Sequence, residues 1–250
     1  MENELRLAVL IDADNAPRTA LREIMAEVAV YGSATIKRIY GYWTSPSMNS
    51  WKPLLLKYAI TPFQQYSYTT GKNATDSAMI IDAMDLLYAG NCDGFVLVSS
   101  DSDFTRLATR LREAGMKVYG MGEKKTPEPF RVACDKFVYI ETLRAAEEVQ
   151  APAAADKAEK KKDTPLAEPA TQSVRDLIAQ SIEDLADEDG YAHLGPLGNL
   201  LIKKQPDFDP RNYGYSKLSK LIAALDDSFE LQNRKGSNNQ GLVLFARNKK

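Results

Sequence analysis

The 250-residue chain is poor in the side chains on which many enzyme sites depend: it has one histidine and two cysteines. The histidine, His193, lies far along the chain from the acidic motifs described below. This placement excludes a Ser-His-Asp or Cys-His site in the N-terminal domain and a zinc site of the usual His and Cys type. Cys92 and Cys134 are too few for a disulfide framework and lack metal-ligand spacing. We therefore expect both to be buried thiols in a reducing compartment.

Long apolar runs and a strong net charge are also missing. No apolar run approaches the roughly 20 residues needed to span a bilayer. The first residues, 1–4, are acidic and lead directly into a strand, which is unlike a signal peptide. We therefore expect a cytoplasmic protein that does not associate with membranes. The formal net charge is −2, so any basic surface for a polyanionic partner must be local.

Strands and helices alternate from residue 7 to about residue 147. The strand candidates are 7–12, 34–40, 61–67, 94–100, 116–121 and 137–141. The helix candidates between them are 17–31, 47–59, 76–89, 104–114 and 127–134. This alternation predicts βαβ units, and hence an α/β domain with a mainly parallel sheet.

The rest of the chain divides into a linker and a second folded domain. Residues 148–172 are rich in alanine, proline and mixed charges and lack aromatic residues, which is typical of a flexible linker. Three helices, near 173–185, 194–204 and 215–226, and two strands, near 228–232 and 241–246, follow. Three helices and a β-hairpin predict a small winged-helix (α+β) domain. The expected organisation is a first domain at 1–147, a linker at 148–172 and a second domain at 173–250.

Four aspartates occupy positions where separate segments should meet. Asp12 ends the apolar run 7–11, Asp101 ends a second run, Asp103 follows it, and Asp76 opens a long apolar helix. The carboxyl ends of parallel strands converge on one crevice. Carboxylates collected there would resist ionising unless a cation shared them, and oxygen ligands suit Mg²⁺ or Mn²⁺. The pattern therefore predicts a site for a hard divalent metal.

Residues 10–15, 72–82 and 98–104 together resemble the motifs of the NYN family of PIN-like nuclease domains, over roughly residues 5–145. The resemblance implies a PIN-like Rossmannoid fold. It also implies a metal site formed by Asp12, Asn15, Asp76, Asp101 and Asp103, in which Asn15 orients a water or a ligating carboxylate. Ser100 departs from the glycine that many relatives have. Residues 213–218 resemble part of the LOTUS (OST-HTH) winged-helix domain, which often accompanies NYN domains.

The resemblance implies a metal-dependent endoribonuclease that acts on RNA, single-stranded by expectation, with the winged helix recruiting or selecting it. A non-catalytic RNA-binding adaptor is the alternative. A phosphatase of the haloacid dehalogenase type is more remote: Asp12-Ala13-Asp14 copies its nucleophile motif, but Asp76 would have no role. The sequence leaves open the RNA that is cut, one-ion or two-ion chemistry, homodimer formation, and whether the second domain binds RNA or a protein.

Basic residues close to these motifs are candidates for contacts with RNA. In the first domain they are Lys37, Arg38, Lys72, Arg106 and Arg110. In the second domain, residues 203–250 hold ten basic and five acidic side chains, and the candidates are Lys217, Lys220, Arg234 and Lys235. Aromatic residues near predicted strand ends could stack unpaired bases: Tyr40, Tyr42, Trp43, Tyr66 and Tyr68.

Three further aspartates are assigned outside the metal site. Asp14 and Asp85 are interpreted as solvent-facing. Asp82 follows Asp76 by six residues and so points about 240° around the helix from it, which is poor geometry for sharing one ion. Its role is left as structural or as support for the ligands.

Overall fold

A computed structural model of the chain describes residues 4–65, 74–150, 171–235 and 242–249. The chain divides into two compact units, Met1–Arg144 and Ala145–Lys250, and each is described by itself. The linker predicted at 148–172 falls mostly on residues 151–170, which lie outside the described part. Within the described ranges, no helix has both the length and the apolar content required to cross a bilayer.

The first unit is built around a six-stranded sheet in which every neighbouring pair of strands is parallel. The strands are β1 Arg6–Asp12, β2 Ser33–Gly41, β3 Thr61–Gln64, β4 Gly94–Val98, β5 Lys117–Gly122 and β6 Lys136–Tyr139. The helices are α1 Leu21–Tyr31, α2 Lys52–Tyr58, α3 Ala74–Ala89, α4 Thr105–Glu113, α5 Glu128–Ala133 and α6 Ile140–Gln150. The predicted α/β class with a mainly parallel sheet is confirmed.

Strand β1 lies in the middle of this sheet and is covered on both faces. Residues 7–12 of the strand are all buried. Leu7, Val9 and Ile11 pack with α1 and α2, whereas Ala8 and Leu10 pack with α3 and α4 on the opposite face. Side chains alternate between the two faces of a strand. An uninterrupted apolar run is therefore what a strand buried on both sides requires.

The strand order β3-β2-β1-β4-β5-β6 reverses direction between β1 and β4. At such a switch point the chain leaves the two strands toward opposite sides of the sheet, which opens a crevice outside their carboxyl ends. Asp12 is the last residue of β1, and Asp101 follows the end of β4 closely. The topology therefore brings the two acidic strand ends to one crevice.

The helices next to this crevice agree with the sequence pattern, with one refinement. Leu107, Ala108 and Leu111 of α4 are buried, and Gly115, with φ of +83°, follows the end of the helix. Left-handed backbone of this kind favours glycine, so the position of Gly115 in the sequence determines where α4 ends. Helix α3 begins at Ala74, so Asp76 lies inside its first turn and does not cap it.

The second unit contains three helices and a three-stranded antiparallel sheet of order β7-β9-β8. The helices are α7 Gln172–Leu185, α8 Leu194–Lys204 and α9 Leu218–Ala224, and the strands are β7 Ala192–His193, β8 Phe229–Lys235 and β9 Leu242–Asn248. Ile178, Leu197, Leu201, Leu221 and Ile222 form its buried core. This arrangement fits the predicted winged helix.

The predicted third helix, 215–226, was too long. A separate 3₁₀ turn at Pro210–Tyr213 ends at Gly214, whose φ is +84°, and Lys217 is extended with φ of −150°. The apolar spacing identified the buried residues of α9, but it does not report backbone conformation at the ends of the helix.

Candidate metal centre

Asp12 is completely buried and organises the turn that follows β1. Its Oδ1 accepts backbone N–H bonds from Asp14 (3.0 Å) and Asn15 (3.3 Å). Its Oδ2 accepts from the Asn15 side-chain amide (2.8 Å) and from the Ser99 hydroxyl (2.7 Å). A buried carboxylate needs such donors because its charge is otherwise unsolvated. Asn15 therefore contacts Asp12 directly through its side-chain amide.

The segment after β4 is organised by the side chains of two serines and an aspartate. The Ser99 hydroxyl, besides donating to Asp12, accepts the N–H of Asp101 at 3.1 Å. The Asp101 Oδ1 accepts the N–H of Asp103 at 2.9 Å and caps a 3₁₀ turn that leads into α4. Ser100 accepts the backbone N–H of Glu123 at 2.9 Å, so the residue in the place of glycine ties this loop to the end of β5.

Asp76, Asp101 and Asp103 form the closest acidic cluster in the described residues. One carboxylate oxygen of each lies within 4.8 Å of the others. Asp76 is buried, Asp101 is half-buried and Asp103 is exposed, so the cluster opens to solvent on one side. Asp12 lies beside this triad and not within it, because its oxygens are directed to the donors of its own turn and to Ser99.

The triad carries an electrostatic cost when no cation is present. Burial, followed by the negative charges of Asp12, Asp101, Asp103 and Asp14, raises the pKa of Asp76 from 3.8 to about 6. Burial and the Asp12 charge also raise the pKa of Asp14, which a hydrogen bond from Thr75 partly offsets. Repulsion of this kind is relieved by a bound cation.

The donor set fits a hard divalent ion. It consists of carboxylate oxygens alone, and the two cysteines, Cys92 and Cys134, are buried in the apolar core. Mg²⁺ and Mn²⁺ are usually held by one to three carboxylates with water completing their shell. The half-open position of Asp101 and Asp103 leaves room for that water or for a phosphate.

The structure separates the predicted RNA contacts of the first unit into two groups. Lys37 donates to the Tyr58 carbonyl at 2.6 Å, and Arg38 pairs with Asp82, so both side chains are held within the fold. Arg106 and Arg110 are exposed along α4 and have no ion-pair partner among the residues described. Lys72 lies outside the described residues.

The predicted aromatic contacts also separate. Tyr40 is completely buried and donates its hydroxyl to Asp82, so base stacking on Tyr40 was a wrong prediction. The Trp43 indole N–H donates to the Phe63 carbonyl at 2.9 Å. Tyr42 remains 43% exposed just beyond the carboxyl end of β2. Tyr66 and Tyr68 lie outside the described residues.

In the described part of the second unit, several basic residues have acidic partners. Arg234 pairs with Asp187 at 3.2 Å and lies over the Tyr191 ring at 3.7 Å. Lys217 and Lys220, by contrast, are exposed at α9, and neither forms an ion pair within the described ranges. The side chain of Lys235 lies outside them.

Two residues of the site were not identified from the sequence. Ser99 is 1% exposed and bridges Asp12 to Asp101, and a hydroxyl at the end of a buried strand was a signal for it, since buried polar groups need partners. Asp14 is exposed, as expected, but its charge contributes to the raised pKa of Asp76. Its spacing of two residues from Asp12 could have indicated this.

Comparison with known proteins assigns both units. Residues 6–141 match the NYN domain, and residues 168–240 match the OST-HTH/LOTUS domain. No curated protein is significantly similar to the chain.

The solved structures that are similar to parts of the chain include two proteins of bacterial origin. One is an uncharacterized protein from Nitrosomonas europaea, with 35% identity over 38% of this chain and 91% of that one and a TM-score of 0.30. The other is a protein of unknown function from Vibrio parahaemolyticus, with 20% identity over 56% of this chain and 95% of that one and a TM-score of 0.46. The family matches, which agree with the fold of each unit, carry the assignment: the chain belongs to the NYN family of PIN-like domains and joins its NYN domain to a C-terminal OST-HTH/LOTUS domain of RNA-binding type.

Proposed function

We propose that this protein is a metal-dependent endoribonuclease that hydrolyses phosphodiester bonds in single-stranded RNA. The observation that carries the proposal is the triad of Asp76, Asp101 and Asp103, whose carboxylate oxygens approach one another within 4.8 Å at the switch point of a NYN domain. Like charges gathered in a crevice favour a cation, and phosphodiester hydrolysis is a reaction that Mg²⁺ and Mn²⁺ support.

In the proposed reaction the triad would hold one or two ions, with Asp12 beside them. A bound divalent ion supplies an activated water at neutral pH and neutralises charge on the attacked phosphate. Asp12 holds the turn after β1, and Ser99 fixes the distance between that turn and Asp101. The first unit contains no histidine, so no imidazole base acts in it.

RNA would approach along α4, which begins directly after the acidic loop. Arg106 and Arg110 follow Asp103 by three and seven residues, so their Cα atoms lie about 5 and 10 Å farther along the helix. That spacing suits contacts with phosphates next to the scissile one. Tyr42, exposed beyond β2, is a surface on which an unpaired base could stack.

The LOTUS domain would recruit the RNA. We place this contact at Lys217 and Lys220, because Arg234 is engaged with Asp187 and Tyr191. Phosphate contacts of this type are independent of sequence and weaken as salt rises.

The proposal is tested by incubating labelled single-stranded and duplex RNA with the protein in Mg²⁺, in Mn²⁺ and in chelator. Asp101→Asn is the test variant. Asp85→Asn, which removes the same charge from an exposed position on α3, is the matched control. We expect metal-dependent cutting of the single strand by the wild type and the control, and a loss of at least about 100-fold in Asp101→Asn.

Other outcomes would replace the proposal. RNA retention without cutting in any metal would point to a non-catalytic RNA-binding adaptor. Hydrolysis of a small phosphomonoester with RNA left intact would point to the phosphatase instead. Cutting that is equal in wild type and Asp101→Asn would remove the triad from the reaction.

A further inference from the structure

Helix α3 has apolar residues on more than one face, so burial alone does not fix its rotation. Met79, Ala83 and Leu86 face the core, yet Ile81 and Tyr88 are 63% and 75% exposed. Further apolar side chains lie at the margins of the core, partly buried: Ala78, Ile80, Met84 and Leu87. A surface helix normally has a polar outer face that specifies how it packs, and α3 lacks a continuous one.

A different rotation of α3 about its axis would also bury apolar side chains. At about 100° per residue, Ile80, Met84 and Leu87 centre on a direction about 100° from that of Met79 and Leu86. Turning the helix by that angle would exchange one apolar set for another of similar size. The same turn would carry Asp76, at the start of the helix, away from Asp101.

A partly buried polar contact distinguishes the observed packing from this alternative. The Asp82 carboxylate accepts hydrogen bonds from the Arg38 guanidinium and from the Tyr40 hydroxyl, both on β2. The side chains of Asp82 and Arg38 are 15% and 26% exposed, and the Arg38 guanidinium lies 4.9 Å from the centre of the Phe63 ring. The alternative rotation would turn Asp82 toward solvent. It would leave the partly buried Arg38 guanidinium and the buried Tyr40 hydroxyl without this acceptor, which is unfavourable.

The contact also links α3 to β2, the strand that pairs with β1 beside the acidic site. Tyr40 is the register partner of Asp12 in the β1–β2 pair. On α3, Asp76 and Asp82 flank the buried stripe on opposite sides and lie about 120° apart across it. The contact that Asp82 makes on one side of the helix therefore fixes the direction in which Asp76 points on the other side.

We propose that Asp82, through Arg38 and Tyr40, is a positioning residue that selects the face of α3 packed on the sheet and so places Asp76 against Asp101 and Asp103. Its consequence for activity rests on the proposed function, but its consequence for the packing of α3 does not. Buried polar groups select one of several apolar packings in the same way at single positions of coiled coils.

The first test reads the rotation of α3 by thiol labelling. Ile81→Cys, at an exposed position, and Ala83→Cys, at a buried one, are each made in the native background and with Arg38→Met, Tyr40→Phe and Asp82→Leu together. Replacing a buried ion pair by apolar residues usually preserves stability, so the triple background is expected to fold. Cys92 and Cys134, 4% and 0% exposed, give little background, and Leu56→Cys, at a position 87% exposed on α2, is the reference.

In the native background the thiol at position 81 should react at nearly the reference rate and the thiol at position 83 at least about 100-fold more slowly, because a buried thiol reacts only in locally opened molecules. In the triple background this difference should fall below about 10-fold. An unchanged difference would overturn the proposal. If the triple background does not fold, Asp82→Asn, which keeps the shape of the side chain, carries the same comparison.

The second test measures Mn²⁺ affinity, without RNA, for wild type, Asp82→Asn, the triple variant and Leu86→Ala. Leu86→Ala leaves a cavity under the same helix and controls for lost stability. We expect affinity to fall about 10-fold or more in Asp82→Asn and in the triple variant, and to stay within about 3-fold in Leu86→Ala. Native affinity in the stable triple variant would reduce Asp82 to a merely stabilising role. A wild type that binds no Mn²⁺ would refute the metal site, and the labelling result would then decide the positioning role alone.

Discussion

Asp76→Asn should stabilise the NYN domain when no metal is present and should make it less stable than the wild type when a divalent metal is added. Without metal, Asp76 is an ionised carboxylate in a buried position among four others, and its pKa is raised to about 6. A carboxyl group whose pKa is higher in the folded state costs stability as pH rises. The cost is absent below the unfolded pKa near 3.8 and is complete above about pH 6.

The size of this cost follows from the pKa. A rise from 3.8 to about 6 corresponds to about 3 kcal/mol. Because the site is open on one side and solvent screens its charges, we expect about 1–2 kcal/mol in practice. The metal-free Asn variant should therefore be about 1–2 kcal/mol more stable than wild type at pH 7.5, and equal to it near pH 4.

Metal reverses this order. At a concentration of 100 times its dissociation constant, an ion that binds only the folded state stabilises it by about 2.7 kcal/mol. The wild type should gain this amount from Mn²⁺, whereas the Asn variant has lost a ligand and should gain less than about 1 kcal/mol.

The assay is urea unfolding followed by tryptophan fluorescence, in chelator and in Mn²⁺. Both tryptophans, Trp43 and Trp51, lie in the NYN domain, so the signal reports this domain alone. Asp85→Asn is the control and should respond to Mn²⁺ as the wild type does. A variant that is less stable than wild type in chelator, or that gains as much from Mn²⁺, would refute the electrostatic reasoning.

Three further predictions concern the site and the RNA contacts. Ser99→Ala should lower the stability of the NYN domain by about 1–3 kcal/mol and weaken metal binding about 10-fold or more, because it removes the hydroxyl that joins Asp12 to Asp101. Ser102→Ala, on the exposed turn beside it, is the control and should change neither quantity. Calorimetry with and without Mn²⁺ measures both the stability and the affinity. The double variant Arg106→Gln, Arg110→Gln should raise KM several-fold with little change in kcat. It should also lower the slope of log KM against log salt concentration by the amount expected for about two lost phosphate contacts. A change confined to kcat would contradict the RNA path along α4. Lys217→Ala with Lys220→Ala should weaken retention of long RNA about 10-fold while leaving cleavage of a short oligonucleotide unchanged, and unaltered retention in a filter-binding assay would move the contact elsewhere.

The acidic triad was predictable because its position depends on topology that the sequence indicates. Apolar runs that end in Asp12 and near Asp101, separated by helical segments, require parallel strands, and parallel strands bring their carboxyl ends to one edge. The role of Asp12 was less predictable. The sequence placed it with the other ligands, but the hydrogen bonds it accepts from its own turn and from Ser99 depend on side-chain directions that spacing does not give.

For the basic residues, the sequence did not indicate which side chains are available to bind RNA. Lys37 and Arg38 are basic residues near the acidic motifs, as Arg106 and Arg110 are. The first two, however, are bonded within the fold, whereas the second two face solvent. The difference arises because Lys37 reaches the end of α2 and Arg38 reaches α3, whereas Arg106 and Arg110 lie on the exposed side of α4. A positive charge in a sequence therefore indicates a polyanion contact only after its intramolecular partners are known.

The sequence by itself determined the α/β class and the winged helix, because both rest on local periodicity, and it predicted that Asp76, Asp101 and Asp103 would meet. The tertiary structure alone decided how α3 is rotated and which charges are paired. Helix α3 is apolar on more than one side, so its own sequence permits more than one packing. The choice depends on Asp82 meeting Arg38 and Tyr40, partners more than 40 residues away that come within reach only when the sheet has formed.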